Sequence, residues 1–301
     1  MFTGNTVTLS DLAGPLELDV RRDAAIAYVG KVPTRLDQRL VPCGKQAHLN
    51  EAAGQSGIAA YVVPEGLAPE VASEAGLVVS AEPAATAMRV HEYLAALPNF
   101  QWADFDTRID PTAVISPGAH VAPRNVVIGA RSVIGPNAVL LERSIIGADC
   151  EIGPGTVVGG EAFEQCPGAA PKRILRQTGG VLIEDWVTIQ ALGTIVRATF
   201  GGFTRVRRET KMDAHVHVAH DCQIGERVTI TACAEISGRV EIGDDAYLGP
   251  NCTISNGVRI GRKATITIGS VVVRDVPDGI RVTGNFALPH ENWLNLIRAY
   301  R

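Results

Sequence analysis

Long hydrophobic runs are absent from this 301-residue chain. No stretch approaches the roughly 18 uninterrupted apolar residues of a membrane-spanning helix, and no basic segment precedes a short apolar core as in a secretory signal. A cytoplasmic protein without membrane insertion is expected. Blocks of like charge are missing too: a net charge of -4 at pH 7 and a pI near 6.0 offer no basic stripe to a nucleic-acid backbone, so nucleic acid is not expected as a partner. The six cysteines, Cys43, Cys150, Cys166, Cys222, Cys233 and Cys252, include no C-x-x-C pair. They read as reduced, mostly buried thiols rather than zinc ligands or a redox centre. Aromatic residues make up only 5% of the chain, against 31 glycines, so a core has to be aliphatic. The length makes two cores plausible.

What the chain does have is a period of six. Ile128, Ile134, Leu140, Ile146, Ile152 and Val158 follow one another at that step, and all but Leu140 are followed by glycine. Ile109, Ile115 and Val121 keep the step upstream, and Ile183, Ile189 and Ile195 resume it downstream. After a gap it runs without a slip through Val206, Met212, Val218, Ile224, Ile230, Ile236, Ile242, Leu248, Ile254, Ile260, Ile266 and Val272. Each hexapeptide predicts one short strand and a turn, with the aliphatic residue inward and the small residue after it permitting the corner. Three hexapeptides make a triangular coil, and stacked coils bury a continuous aliphatic column while pairing their backbones. A sandwich of short strands would not hold a fixed step for so long. The period leaves the hand of the helix open.

Residues 1–98 lack the repeat and predict a small α/β domain: a helix over Leu9–Leu16, strands over Gly57–Val63 and Gly76–Val79, and a helix from Ala84 to Leu97. Residues 99–280 hold the prism, interrupted at 160–180 by a stretch with two prolines, Lys172, Arg173 and Arg176. A loop of that length is usually functional, and it is expected to cover the cleft of a neighbouring subunit. Residues 281–301 form a C-terminal extension, in which Asn292–Arg301 predicts one short amphipathic helix.

The chemistry-bearing stretch is Met212–Gly225, MDAHVHVAHDCQIG. With Val218 inward, strand alternation puts Val216 inward as well, His215 and His217 outward, and His220 at a corner. A neutral imidazole at an exposed corner can accept a proton near physiological pH. The spacing His-x-His-x-x-His also admits a metal reading, as in the gamma-class carbonic anhydrases, another hexapeptide family. Alternation aims the first two histidines away from the third.

That stretch, with Ala234–Gly243 (AEISGRVEIG), Val282–Ala287 (VTGNFA) and Gly159–Phe163 (GGEAF), resembles the UDP-3-O-(3-hydroxyacyl)glucosamine N-acyltransferases of lipid A biosynthesis. The order of the parts matches as well. The resemblance implies a mainly β fold, a left-handed parallel β-helix with a small N-terminal α/β domain and a short C-terminal helix. It implies acyl transfer from an acyl carrier protein or CoA thioester to the amino group of an amino sugar, without a tightly bound cofactor or metal, in a homotrimer. His220 takes the place of the catalytic base and Gly238 that of the backbone N–H donor to the oxyanion. Asp213, His217, Asn256 and Phe163 are the expected substrate-binding residues, and Asp213 or Glu235 would orient His220. Eighteen residues separate His220 from Gly238, one full coil, which stacks them on one edge about 4.8 Å apart.

The chain departs from the family pattern in three places. The positions expected to stack on uracil fall around Cys43 and Leu49, the family's second histidine corresponds to Val258, and the C-terminal helices shrink to about ten residues beside a prism shorter by some hexapeptides. Two other functions therefore stand beside the first: N- or O-acylation of an acceptor that is not UDP-linked, and a catalytically silent prism retained for assembly.

Overall fold

A computed structural model of the chain describes residues 1–31, 36–168, 171–284, 287 and 289–299. From Arg108 onward the chain winds into three parallel sheets of eight, nine and eight strands. The first face begins with Arg108–Ile109, the second with Val114–Ile115 and the third with His120–Val121, and each later coil adds one strand to each in that order. Register is in phase throughout: Val218 pairs with Ile195 below and Ile236 above. The result is the left-handed parallel β-helix that the resemblance implied.

Two side chains per hexapeptide point inward. The repeating aliphatic residue is one. The residue two before it is the other, and it is small: Val126, Ala138, Cys150, Val187, Val216, Cys222, Val228, Ala234, Cys252 and Ala264 are all buried in the column. Hydroxyl residues also occupy this second position, where Ser132 donates to Gly147 O at 2.8 Å and Thr210 to Gly225 O at 2.8 Å, so their burial leaves no donor unpaired. Of the six cysteines, all free, Cys43, Cys150, Cys222 and Cys252 are buried and Cys233 is exposed. Burial pushes the Cys222 thiol up to about 12 and those of Cys43 and Cys252 up to about 11.

The corners turn for a different reason from the one the sequence suggested. The left-handed backbone falls three residues after each aliphatic, at Arg131, Asn137, Asp149, His215, Asp221, Cys233 and Arg239 among others, with φ between 56° and 61° at these seven. The small residue directly after the aliphatic is needed because coils approach closely there: a Cβ on Gly129 would lie 2.5 Å from the Gly147 carbonyl oxygen, and one on Gly261 2.4 Å from the Asp278 nitrogen.

The N-terminal part is a five-stranded sheet in which Asp19–Arg22 runs antiparallel to Gly76–Val79. Gly76–Val79, Ile58–Val63, Arg39–Pro42 and Tyr28–Val29 then run parallel to their neighbours. Helices Leu9–Leu16, Gln46–Ala53 and Pro83–Ala96 pack on it. Its core takes in two residues from prism insertions, Leu175 and Phe200, each 1% exposed.

The loop of residues 160–180, outside 169–170, therefore docks on its own N-terminal domain. Arg176 N–H donates to Glu92 Oε1 at 3.0 Å, Arg173 pairs with Glu92 at 3.2 Å, and the His91 ring meets the Arg176 carbonyl at 2.7 Å. The scarce aromatics gather at the same seam, with Phe2 edge-on to Trp102 at 4.9 Å and to Phe203 at 5.2 Å between centroids.

The last paired strand is Arg281–Val282, in the stretch read as C-terminal extension, followed by the helix His290–Ala299. Asn285 and Phe286 of the VTGNFA motif and residues 300–301 of the tail lie outside the described residues. No described helix is long and apolar enough to cross a membrane.

Candidate active site

The corner between the third face and the first carries an unusual column. In the coils below His220 this corner is where the chain departs: the loop of residues 160–180 leaves just after the strand Val157–Gly160, and a second insertion follows Thr194–Val196 and ends at Phe203–Val206. Above them the regular corner resumes with Ala219–His220–Asp221, Ser237–Gly238–Arg239 and Ser255–Asn256–Gly257. His220, Gly238 and Asn256 are each two residues after an inward aliphatic and stack in successive coils.

The position two after the aliphatic is special electrostatically. Its N–H makes no backbone hydrogen bond in the coil ladder, which is why proline occupies it at Pro136, Pro154 and Pro250. In the column after the first face an aspartate one coil above takes that N–H: Asp185 accepts from Ala148, and Asp244 from Glu226. Over Gly238 stands Asn256, whose Oδ1 accepts instead from Arg239 Nη2 at 3.1 Å. The Gly238 N–H is left without an acceptor among the described residues.

His220 lies beneath Gly238. A Cβ at Gly238 would fall 2.6 Å from His220 Nε2 and 2.7 Å from Cε1, so only glycine leaves room for the ring. Nδ1 of His220 sits 2.8 Å from Asp221 Oδ2 and 3.3 Å from Thr199 Oγ1. Asp221 is itself held by the Thr199 N–H at 3.2 Å, and its own N–H donates to Thr204 Oγ1 at 2.8 Å. A carboxylate can only accept, so the proton belongs on Nδ1 and the lone pair on Nε2. Facing Nε2, 4.0 Å away, is Glu164 Oε2 from the first insertion. Glu164 Oε1 is bound by Lys31 Nζ of the N-terminal domain at 2.6 Å.

Two guanidinium groups line the coils beneath, with Arg197 Nε donating to Gly159 O at 2.8 Å and Arg143 Nη1 to Thr178 O at 2.7 Å. Burial lowers the pKa of both, and for Arg143 the nearby Arg197 adds to the effect. Beside Asp221 and Arg239 opens a cleft of about 210 Å³, walled by Leu36, Phe203, Arg205 and Gln223.

Other expected residues lie elsewhere. His217 is on the third face, 3.8 Å from Glu235, and Asp213 is at the preceding corner, accepting from Ala214 N–H at 2.7 Å. Neither Glu235 nor Asp213 orients His220. Asp221 does, and its signal was in plain view as the residue after the histidine. His215 turns the corner beside Asp213 rather than lying in the strand. The three histidines thus occupy one corner, one face and the next corner, and no group of three or more His, Cys, Asp or Glu among the described residues is gathered to hold a metal ion. Phe163 is 83% exposed, on the same insertion as Glu164. Val258, at the place of the family's second histidine, is buried in the column. Glu164 and Thr199 carried no sequence signal, because each reaches the corner only through the path of an irregular insertion.

Two family models match the prism, the bacterial transferase hexapeptide (six repeats) over residues 125–160 and the hexapeptide repeat of succinyl-transferase over residues 239–274. An acyl-[acyl-carrier-protein]–UDP-N-acetylglucosamine O-acyltransferase of Burkholderia orbicola (strain MC0-3) is 32% identical over 195 residues, 61% of this chain and 72% of that protein. The chain belongs to the hexapeptide-repeat acyltransferases. A UDP-3-O-acylglucosamine N-acyltransferase of Caulobacter sp. (strain K31) is 34% identical over 143 residues, 48% of this chain. The chain spans only 42% of the length of that relative. Among solved structures, a UDP-N-acetylglucosamine acyltransferase from Campylobacter jejuni is 23% identical, with a TM-score of 0.46 over 64% of this chain and 83% of that one.

Proposed function

We propose that this acyltransferase moves an acyl group from a thioester, on acyl carrier protein or CoA, to the amino group of an amino sugar, with His220 as general base and the Gly238 N–H as oxyanion donor. The observation that carries the reading is the stack itself. A lone pair on Nε2, fixed by the Asp221 contact to Nδ1, lies against Gly238, whose backbone N–H has no acceptor among the described residues. The acceptor nitrogen attacks the thioester carbonyl carbon while one of its protons passes to Nε2. The negative charge on the carbonyl oxygen is met by the Gly238 N–H. Collapse breaks the C–S bond, and the departing sulfur takes the proton from His220. Asp221 stabilises the imidazolium formed between these steps.

The named relatives act on UDP-linked sugars, and a UDP-linked acceptor is proposed here on that likeness. Transfer to a hydroxyl is the second reading, favoured by the O-acyltransferase that the chain matches over 72% of its length. A homotrimer, with a neighbouring prism closing the open side of the corner, belongs to the same proposal.

The test is release of carrier thiol from a long-chain acyl carrier protein thioester with UDP-glucosamine as acceptor. His220→Ala lowers turnover by about a hundredfold or more, with melting temperature and oligomeric state unchanged. A loss below about tenfold removes His220 from the mechanism. Calorimetric titration with CoA and with holo acyl carrier protein identifies the donor.

A further inference from the structure

We infer that Glu164 makes this site select an amine over a hydroxyl as acceptor, an inference that rests on the role proposed for His220. The Glu164 side chain is 18% exposed, and Lys31 binds one of its oxygens at 2.6 Å. That contact turns the other oxygen, Oε2, toward His220 Nε2 at 4.0 Å. With the imidazole proton held on Nδ1 by Asp221, Nε2 and Oε2 are both acceptors and cannot bond to each other. The gap is too long for a hydrogen bond and wide enough for one donor atom lying about 2.9 Å from each.

The two candidate nucleophiles fill that gap differently. A neutral amine carries two N–H bonds: one donates to Nε2 and the other to Oε2, while the lone pair stays free to attack. A hydroxyl carries one. If its proton goes to Nε2, its oxygen lone pairs face the Glu164 carboxylate at contact distance, which is repulsive and leaves a partly buried acceptor unpaired. The difference persists through the reaction. As the C–N bond forms, the first proton moves to Nε2 and then to the departing sulfur. The amide product keeps the second N–H and its bond to Oε2, whereas an ester has no hydrogen left to give.

Lys31 belongs to the N-terminal domain and Glu164 to an insertion in the prism, so the selecting oxygen is aimed by the contact between the two. The GGEAF segment that carries the family resemblance stops one residue short of Glu164, and nothing in the hexapeptide pattern demands an acid there.

The experiment compares kcat/KM for UDP-glucosamine, a free amine, with that for UDP-N-acetylglucosamine, which offers only hydroxyls, using a long-chain acyl carrier protein thioester as donor. Mass spectrometry and base lability assign the products as amide or ester. The wild type favours the amine, and Glu164→Gln, the same shape without the charge, lowers the amine-to-hydroxyl ratio by about tenfold or more. Glu164→Asp, which keeps the charge and withdraws it by one methylene, recovers part of the ratio. A ratio unchanged by Glu164→Gln, or a wild type that favours the hydroxyl, overturns the inference even while His220→Ala remains inactive with both acceptors. Full activity in His220→Ala, or no transfer to either acceptor by the wild type, overturns the functional reading beneath it.

Discussion

Gly238 shows how much one side chain can decide. The position two after the aliphatic tolerates almost anything in this prism: Ala148, Pro154, Glu226, Ala232 and Pro250 all occupy it. Glycine at 238 is therefore not required by the turn. It is required because the His220 ring is folded against it, held there by Asp221, and a Cβ would come within 2.6 Å of Nε2 and 3.0 Å of Asn256 Nδ2. Gly238→Ala is thus expected to leave the coil intact, with a stability change within about 1 kcal/mol, since alanine is accepted at equivalent corners. Turnover falls by about a hundredfold, because a base displaced by even 1 Å loses its alignment. Circular dichroism melts and steady-state kinetics check the two halves separately. A variant that melts early, or one that turns over normally, contradicts the assignment of this contact.

At the scale of elements, the two insertions hold together what the coils alone would leave apart. One brings Glu164 to Nε2, the other brings Thr199 to Nδ1 and to Asp221, and both are anchored by apolar residues sunk in the N-terminal core. Phe200, 1% exposed, packs edge-on to His91 with centroids 5.0 Å apart. Phe200→Ala should cost about 3–5 kcal/mol of N-terminal domain stability. Kinetics should worsen with it, because the neighbouring Thr199 loses its anchor. Hydrogen exchange localised to residues 83–96 and 197–203 is the measurement, and unchanged protection there would show that the seam does not hold the insertion.

The same contrast explains what could be read from the chain. The prism, its inward column and the stacking of His220 on Gly238 follow from an eighteen-residue coil that repeats without a slip from Val206 to Val272, so spacing alone places residues in space there. Glu164, Thr199 and Lys31 come from segments with no period, where neighbours depend on packing that no local pattern encodes. Asp213 and Glu235 were favoured as partners of His220 by nearness in the motif and by charge, yet corner geometry separates them from it. The N-terminal strands Asp19–Arg22, Tyr28–Val29 and Arg39–Pro42 went unread for a similar reason: they are short and lack a clean alternation of apolar and polar residues.

For the molecule as a whole, stability near neutral pH should depend on the seam between the N-terminal domain and the prism. His91 is fully buried there. Its Nε2–H donates to the Arg176 carbonyl at 2.7 Å, and Nδ1 has no partner among the described residues. Burial lowers its pKa from the ordinary 6.5, against the smaller opposing pull of the Arg176 carbonyl contact. In the unfolded chain the imidazole titrates normally. Above about pH 6.5 both states are neutral at this residue and stability is independent of it. As pH falls through that value the unfolded state takes up a proton that the native state refuses, so stability drops, with a limiting slope of about 1.4 kcal/mol per pH unit. The slope continues down to the lowered native pKa. His91→Gln can still donate to the Arg176 carbonyl but does not titrate, and it should remove this component. Urea unfolding of wild type and variant between about pH 7.5 and 5.5 measures the difference. Parallel curves would mean that His91 is protonated in the native protein and that the seam opens to water.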